Sequence, residues 1–199
     1  MKVIAGREEV YRTQNHGTLR DQLMAGYSET WRTILGNETK IAIWAHNFHV
    51  SNVNFGANSQ SMGYFLKQMH SKEYQIVAFG FATGGVNAFL TDGNFGFAGF
   101  VREQNVDRLV CNSVNHFISE ASGDKKYFIF EEMPVGSDLY QFLAGNQEWL
   151  SIGAGFNISF LERHFYLSRR VLRENDVLIF FDEVEASELL SVWFFAFAK

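Results

Sequence analysis

The chain has 199 residues, of which 47% are hydrophobic and 20% are charged, and its formal net charge is −5. This length and composition predict a single domain over residues 1–199 with a sizeable core, and they exclude global disorder. The acidic balance and the lack of a basic stripe among the aromatic residues argue against a nucleic-acid partner.

Cysteine usage and hydropathy limit the protein class further. One cysteine, Cys111, excludes an intrachain disulfide and a Cys-based zinc site, and we expect it to be a small buried hydrophobe. No signal peptide is visible, and no apolar run reaches the roughly 20 residues that span a bilayer. The apolar tail at 189–198 is expected to pack on the domain or on a partner. We therefore predict a cytoplasmic protein without membrane contact.

The first predicted elements are a helix and a strand. Apolar residues recur at three- and four-residue steps over 18–35, which indicates a helix with Thr18 as N-cap and an end at Gly36. The nearly continuous apolar run at 40–45 predicts a strand buried on both faces, as in a parallel sheet. A polar loop is expected over 46–59.

The rest of the chain alternates between predicted strands and helices. Strands are predicted at 74–81, 126–130 and 176–181, and helices at 61–69, within 106–121 and at 138–144. Thr83 to Gly85 are predicted to end the second strand, and the Gly- and Phe-rich stretch 86–100 predicts loop or irregular strand. Residues 147–160 also have loop composition. Alternating strands and helices predict an α/β domain with a mostly parallel sheet and flanking helices.

Polar residues after the first predicted strand are the best candidates for chemistry. His46, Asn47 and His49 follow that strand directly, and open parallel sheets bind ligands beyond the carboxyl ends of their strands. Histidine can act as a general acid or base near neutral pH because its unperturbed pKa is about 6.5. Asn47 could orient a histidine or donate to a developing oxyanion. The alternative is that these groups only cap a turn or bond to the backbone.

Carboxylates at two other predicted strand ends are further candidates. Glu131 and Asp182 could orient a histidine, as the carboxylate of a catalytic triad does, or be solvated loop residues. They could also complete a metal site with His46 and His49, because two histidines alone are too few for catalytic zinc. The sequence contains no nucleotide-binding fingerprint and no Gly-x-Ser-x-Gly elbow. We predict no cofactor and no resident metal.

The order of these motifs resembles that of the erythromycin-esterase-like family, which includes proteins labelled succinoglycan biosynthesis protein. Residues 20–25 resemble the family's Arg-Asp-x-x-Met-Ala helix, 41–50 its strand followed by Trp-Ala-His-Asn-x-His, and 61–66 its Met-Gly-x-x-Leu helix. The resemblance extends over residues 18–187 and includes a strand that runs into a Gly-rich loop at 74–85 and the closing strand at 176–181.

This resemblance implies an activity and site residues. The implied reaction is hydrolysis of a macrocyclic lactone or related ester by histidine-assisted attack of water, with a small ester or lactone as the substrate. His46 matches the family's site histidine in the second half of the chain, and His49 matches a neighbouring site histidine. Asn47 and Trp44 belong to the same motif and are expected to bind or orient the substrate.

Two departures from the family pattern bear on activity. Gly26 and Tyr27 stand where the family has Glu-Asn after Met-Ala. Family members are about twice as long, and the Gly-Glu-x-x-His motif with their proposed general base has no counterpart before residue 18. The sequence therefore predicts the C-terminal half of a family domain, inactive alone unless a missing N-terminal half or a second copy completes it. The alternative is a non-catalytic binding or assembly module that retains the fold.

Overall fold

A computed structural model of the chain describes residues 16–188, except for 37, 57, 58, 93 and 95. Its helices are α1 (His16–Leu35), α2 (Asn47–Val50), α3 (Met62–His70), α4 (Val114–Ser119), α5 (Asp138–Ala144) and α6 (Val171–Glu174). Its strands are β1 (Val77–Thr91), β2 (Phe97–Val106), β3 (Lys125–Ile129), β4 (Gln147–Leu150), β5 (Gly155–Phe156), β6 (Tyr166–Arg169) and β7 (Val177–Val184). Short 3-10 turns lie at Ser71–Glu73, Phe130–Glu132 and Ile158–Phe160, and a π-helical turn at Leu161–Phe165.

The strands form a central sheet and a small second sheet. The central sheet has the order β2-β1-β7-β3, with β5 also paired to β1, and the second sheet joins β4 to β6. β1 runs parallel to β7 and β5, whereas the outer strands β2 and β3 run antiparallel to their neighbours. The predicted α/β fold with a central sheet and flanking helices is confirmed, and the sheet mixes both strand directions.

Most buried apolar side chains belong to one large core, which joins the two sheets to α4, α5 and α6. β7 shows how the sequence builds this core: Leu178 and Phe180 are fully buried, while Val177, Ile179 and Phe181 beside them are half-buried. This alternation follows from the two-residue side-chain period of a strand. Fully buried members of the large core include Val106, Ile118, Leu143, Phe156, Leu161 and Val171.

A separate small core joins α1, α2 and α3. Its buried members are Ala25, Val50, Met62 and Leu66. Helix α3 approaches the α2 segment so closely that a Cβ on Gly63 would lie 2.0 Å from the Val50 carbonyl oxygen. Glycine is therefore required there, which explains the Met-Gly pair at the start of the helix.

Several predicted elements are confirmed. The helices predicted at 18–35, 61–69 and 138–144 correspond to α1, α3 and α5. Thr18 is not the N-cap that the sequence predicted, because α1 begins at His16 and the Thr18 hydroxyl accepts from the Gln60 N–H instead. The strands predicted at 126–130 and 176–181 correspond to β3 and β7.

The strand predicted at 40–45 is wrong, because these residues form no regular element and pair with no strand among the described residues. Ile43 and Ala45 pack against the small core, while Ile41 and Trp44 are exposed. The run therefore buries one face instead of two.

Three further predictions differ from the structure. Thr83 to Gly85 do not end the strand, because β1 continues to Thr91 and forms a hairpin with β2. Gly84 has a φ of +127°, and a Cβ there would lie 2.0 Å from the Val184 carbonyl oxygen, so its glycine allows close pairing with β7. Cys111 is exposed and not a buried hydrophobe. Residues 147–160 contain β4 and β5 as well as loop.

No helix in the described part of the chain combines the length and apolar character needed to cross a membrane. The apolar tail at 189–198 lies outside the described residues.

Candidate functional site

His46 begins the short helix α2 as its N-cap. Its Nδ1 accepts a hydrogen bond from the Phe48 backbone N–H at 3.2 Å. Because Nδ1 is an acceptor, this geometry assigns the proton of the neutral ring to Nε2. The Ile152 backbone also interacts with the ring. Backbone groups therefore hold the His46 ring, although the residue as a whole is exposed.

The surroundings of His46 keep its ring neutral. Desolvation of the ring lowers the pKa of His46 below the ordinary 6.5, and the charge of His49, when that ring is protonated, and the charge of Arg169 act in the same direction. The hydrogen bond to the Ile152 backbone raises this pKa without reversing the net shift. A neutral His46 can donate from Nε2, but it is a weak base.

His49 has a defined tautomer because its two partners differ in kind. Its Nδ1 lies 2.8 Å from Asp21 Oδ2, and its Nε2 lies 3.1 Å from Arg20 Nη2. A guanidinium can only donate, so Nε2 must accept and Nδ1 must carry the proton that is donated to Asp21. Nε2 is thus the proton-accepting nitrogen of His49, and the Arg20 guanidinium donates to it.

Asp21 is the buried anchor of this arrangement. Its side chain is 1% exposed, and Oδ2 also accepts a hydrogen bond from the Met62 backbone N–H at 3.1 Å. The carboxylate therefore joins α1, the start of α3 and the His49 ring. Sequence reasoning did not select Asp21 as a site residue, although it stands in the Arg-Asp motif of the resemblance.

The two histidine rings belong to one site. Their centroids are 6.5 Å apart and their planes are inclined by 74°. His46 and His49 leave the same helical turn, and one is held by backbone groups while the other is held by Asp21. The arrangement places a hydrogen-bond donor beside a potential general base, which is suited to adding water to a carbonyl group.

Asn47 and Trp44 contact the sheet. The Asn47 amide accepts from the Phe79 N–H at 3.1 Å and donates to the Phe79 carbonyl at 2.5 Å, so it acts as a short substitute for a neighbouring strand. The Trp44 ring packs against the Phe79 ring at 5.2 Å between centroids and remains 86% exposed. Asn47 therefore fixes α2 on β1, and Trp44 offers an open aromatic face.

Among the described residues, neither Glu131 nor Asp182 has a hydrogen bond or ion pair with a histidine. Asp182 forms an ion pair with the buried Lys126. Glu131 follows β3 and Asp182 lies near the end of β7. Because these two strands run antiparallel, the two carboxylates lie at opposite ends of the strand pair. Glu131 lines a cleft together with Asp176. The carboxylate beside His49 is Asp21 instead. Within the described residues, no group of three His, Cys, Asp or Glu side chains is arranged to hold a metal ion.

The fold and the paired histidines define an α/β domain with a site suited to acid–base chemistry. The sequence model of the family described as Erythromycin esterase matches residues 1–184, and the chain belongs to this family. The family resemblance predicted from the sequence is thereby confirmed. No curated protein matches the chain in sequence.

Solved structures with the same fold include a succinoglycan biosynthesis protein, which is 15% identical with a TM-score of 0.69 over 84% of this chain and 38% of that one. A protein from Bacillus cereus is 18% identical, with a TM-score of 0.68 over 85% and 39% of the two chains. A mutant of the erythromycin esterase EreC in its open conformation is 17% identical, with a TM-score of 0.53 over 90% and 40%. The chain thus spans about two fifths of the length of these proteins.

Proposed function

We propose that the chain supplies the His46–His49 part of the active site of an ester hydrolase, which opens a macrocyclic lactone or a related ester. The observation that carries this proposal is the contact between His49 Nδ1 and the buried Asp21 carboxylate, which leaves Nε2 as the proton-accepting nitrogen. Membership of the erythromycin esterase family supports the hydrolase class.

In the proposed reaction, His49 acts as the general base. Arg20 has an exposed side chain, so its guanidinium can leave Nε2 when substrate enters. A water oxygen then bonds to the ester carbonyl carbon while its proton passes to Nε2, and Asp21 stabilises the imidazolium. The tetrahedral intermediate collapses, the bond from the carbonyl carbon to the alkoxy oxygen breaks, and the imidazolium returns a proton to that oxygen. The products are a carboxylic acid and an alcohol.

His46 has a different proposed role, because its lowered pKa makes it a poor base. Its Nε2–H donates to the carbonyl oxygen as negative charge develops there, after exchanging its bond to the Ile152 backbone. Asn47 keeps the α2 turn on the sheet through its two bonds to Phe79. The exposed Trp44 ring provides an apolar surface for the substrate.

We further propose that full activity needs residues beyond this chain. The chain spans about two fifths of the length of the solved structures with this fold. The remaining site residues would come from the rest of a family-length protein or from a second copy.

A non-catalytic binding module is the second candidate. Two observations favour it: backbone groups hold the His46 ring, and Arg20 occupies Nε2 of His49. In that reading the histidines stabilise the α2 turn and perform no chemistry.

The test is mass-spectrometric detection of water addition to a macrolide lactone by the purified chain, with and without an added N-terminal half of a family protein. His49→Ala is expected to reduce turnover about 10²–10⁴-fold, which is typical of removing a general base. Asp21→Asn should reduce kcat with little change in KM, because the aspartate acts through His49. His116→Ala is the matched control, since His116 lies on α4 outside the site.

Two outcomes would count against the hydrolase. Equal turnover by wild type and His49→Ala would exclude His49 as the base. Absence of turnover by the folded chain, even with the added half, would favour the binding module for this class of ester.

A further inference from the structure

A second cleft lies beside the site, between the segment that follows α2 and the turn that joins β6 to α6. Its volume is about 540 Å³, within the range of small-ligand sites. Polar and basic side chains dominate its walls, among them Asn52, Tyr64, Gln68, Asn146, Arg170 and Arg173. We refer to these six residues as the basic cleft.

Arg170 is held in a fixed orientation in the basic cleft. Its Nε donates to Asn146 Oδ1 at 2.9 Å, and its backbone N–H donates to Glu174 Oε1 at 3.1 Å. Among the described residues, neither terminal nitrogen of its guanidinium has a hydrogen-bond or ion-pair partner. The guanidinium is therefore oriented by the protein while two of its nitrogens remain free for a ligand.

The carboxylate on the cleft wall does not neutralise this charge. Glu174 is 5% exposed and pairs with the buried Arg169 at 2.5 Å, so its charge is already compensated. The Arg173 side chain is exposed, and its guanidinium has no ion-pair or hydrogen-bond partner within the described part of the chain. A positive cleft on a chain with a net charge of −5 concentrates anions from solution.

The opposite wall offers neutral groups. Asn52 and Gln68 carry amides that can donate and accept, and Tyr64 adds a hydroxyl and a ring. Side-chain amides suit ligand hydroxyl groups, while two guanidinium groups suit an oxyanion. A ligand that carries both an oxyanion and hydroxyl groups would contact the arginine wall and the amide wall at the same time.

We propose that the basic cleft binds a small anion that also carries hydroxyl groups, a sugar phosphate or a sugar carboxylate. Arg170 and Arg173 hold the phosphate or carboxylate oxygens, and the amides of Asn52 and Gln68 hold the hydroxyl groups. This proposal does not depend on the chemistry of His46 and His49.

The experiment is isothermal titration of the purified chain with glucose 6-phosphate, glucuronate, inorganic phosphate and glucose. We expect one of the two sugar anions to bind more tightly than inorganic phosphate and glucose. The double variant Arg170→Gln/Arg173→Gln should weaken that binding about a hundredfold, since charge-assisted hydrogen bonds are lost at two positions. The control is Arg102→Gln/Arg163→Gln, which removes the same charge from exposed residues that do not line the cleft.

Each outcome has a defined meaning. Tighter binding of glucose 6-phosphate identifies a phosphate ligand, and tighter binding of glucuronate identifies a carboxylate. The proposal is overturned if none of the three anions binds, if glucose binds as tightly as the anions, or if both double variants lose binding equally. Matching thermal unfolding curves for the two double variants show that loss of binding does not come from loss of fold.

Discussion

The large core and the small core are held together in different ways. The large core contains long apolar side chains such as Phe156 and Phe180, both fully buried, on paired strands. The small core has four buried apolar members and carries both candidate histidines on its surface. Polar anchors supplement its packing: Asn47 binds the Phe79 backbone, and Tyr74 donates to the Val50 carbonyl at 2.8 Å.

This difference indicates that one kind of interaction determines the fold and another determines the geometry of the site. Apolar burial scales with area and tolerates small displacements, so the large core defines the fold. Hydrogen bonds require specific distances and directions, so a few polar anchors determine where the histidines lie. Changes in the two cores should therefore separate stability from site geometry.

The largest expected effect is in the large core. Phe180→Ala should lower the free energy of unfolding by about 3–5 kcal/mol, because it leaves a cavity where a fully buried ring packed. Urea unfolding followed by circular dichroism measures this loss. Phe100→Ala is the control, since the Phe100 side chain is 88% exposed, and its cost should be close to zero. Similar costs for the two variants would show that the large core does not dominate stability.

A smaller effect is expected at the contact between α3 and the α2 segment. Gly63→Ala places a methyl group 2.0 Å from the Val50 carbonyl oxygen and 2.4 Å from that of Ser51, so backbone must move. We expect a loss of about 1–3 kcal/mol. Because Val50 ends α2, the NMR signals of the His46 and His49 rings should also shift.

The control for this variant is Gly26→Ala on the exposed face of α1, where an added Cβ meets nothing within 4 Å. Alanine favours a helix over glycine, so a gain of about 0.5–1 kcal/mol is expected. A Gly63→Ala protein as stable as the control, with unshifted histidine signals, would contradict the close packing of α3 on α2.

Local sequence signals predicted the elements of the large core well. β7 follows from an unbroken run of apolar and aromatic residues, and α5 ends at the glycine at 145 that also ends the predicted helix. In both cases the signals lie within the element or directly beside it, so neighbours in sequence suffice. The strand predicted at 40–45 fails because burial on both faces depends on a second strand beside it, which the local run cannot reveal.

The site shows the same limit more strongly. The sequence identified His46 and His49, but Asp21 lies 28 residues before its partner His49. The Ser51 hydroxyl bonds to Asn175 at 2.5 Å across 124 residues. No spacing rule predicts such contacts, because the path of the chain through α1, α3 and the sheet brings these residues together. Sequence reasoning selected Glu131 and Asp182 because each follows a predicted strand. The same reliance on position along the chain missed Asp21, which lies in a helix far from His49 in sequence.

The smallest expected effect concerns the acid stability of the α2 turn. Desolvation is the main cause that lowers the folded-state pKa of His46, and the charges of a protonated His49 and of Arg169 add to it. Protonation at Nδ1 would also remove the acceptor of the Phe48 N–H. At a pH above the unfolded-state pKa of histidine, about 6.5, the contribution of neutral His46 to the free energy of unfolding is fully present. As the pH falls below that value, the unfolded chain takes up the proton first, so stability declines until the lower folded-state pKa is passed.

His46→Asn isolates this contribution, because asparagine also caps a helix but does not titrate. Urea midpoints of both proteins, measured from about pH 8 to about pH 5, should diverge, with the wild type losing more stability on the acid side. The two proteins differ only at residue 46, so the difference between the two profiles reports His46 together with its electrostatic coupling to His49. Parallel profiles would show that the α2 turn does not depend on a neutral His46, and that the polar anchors of the small core do not include this ring.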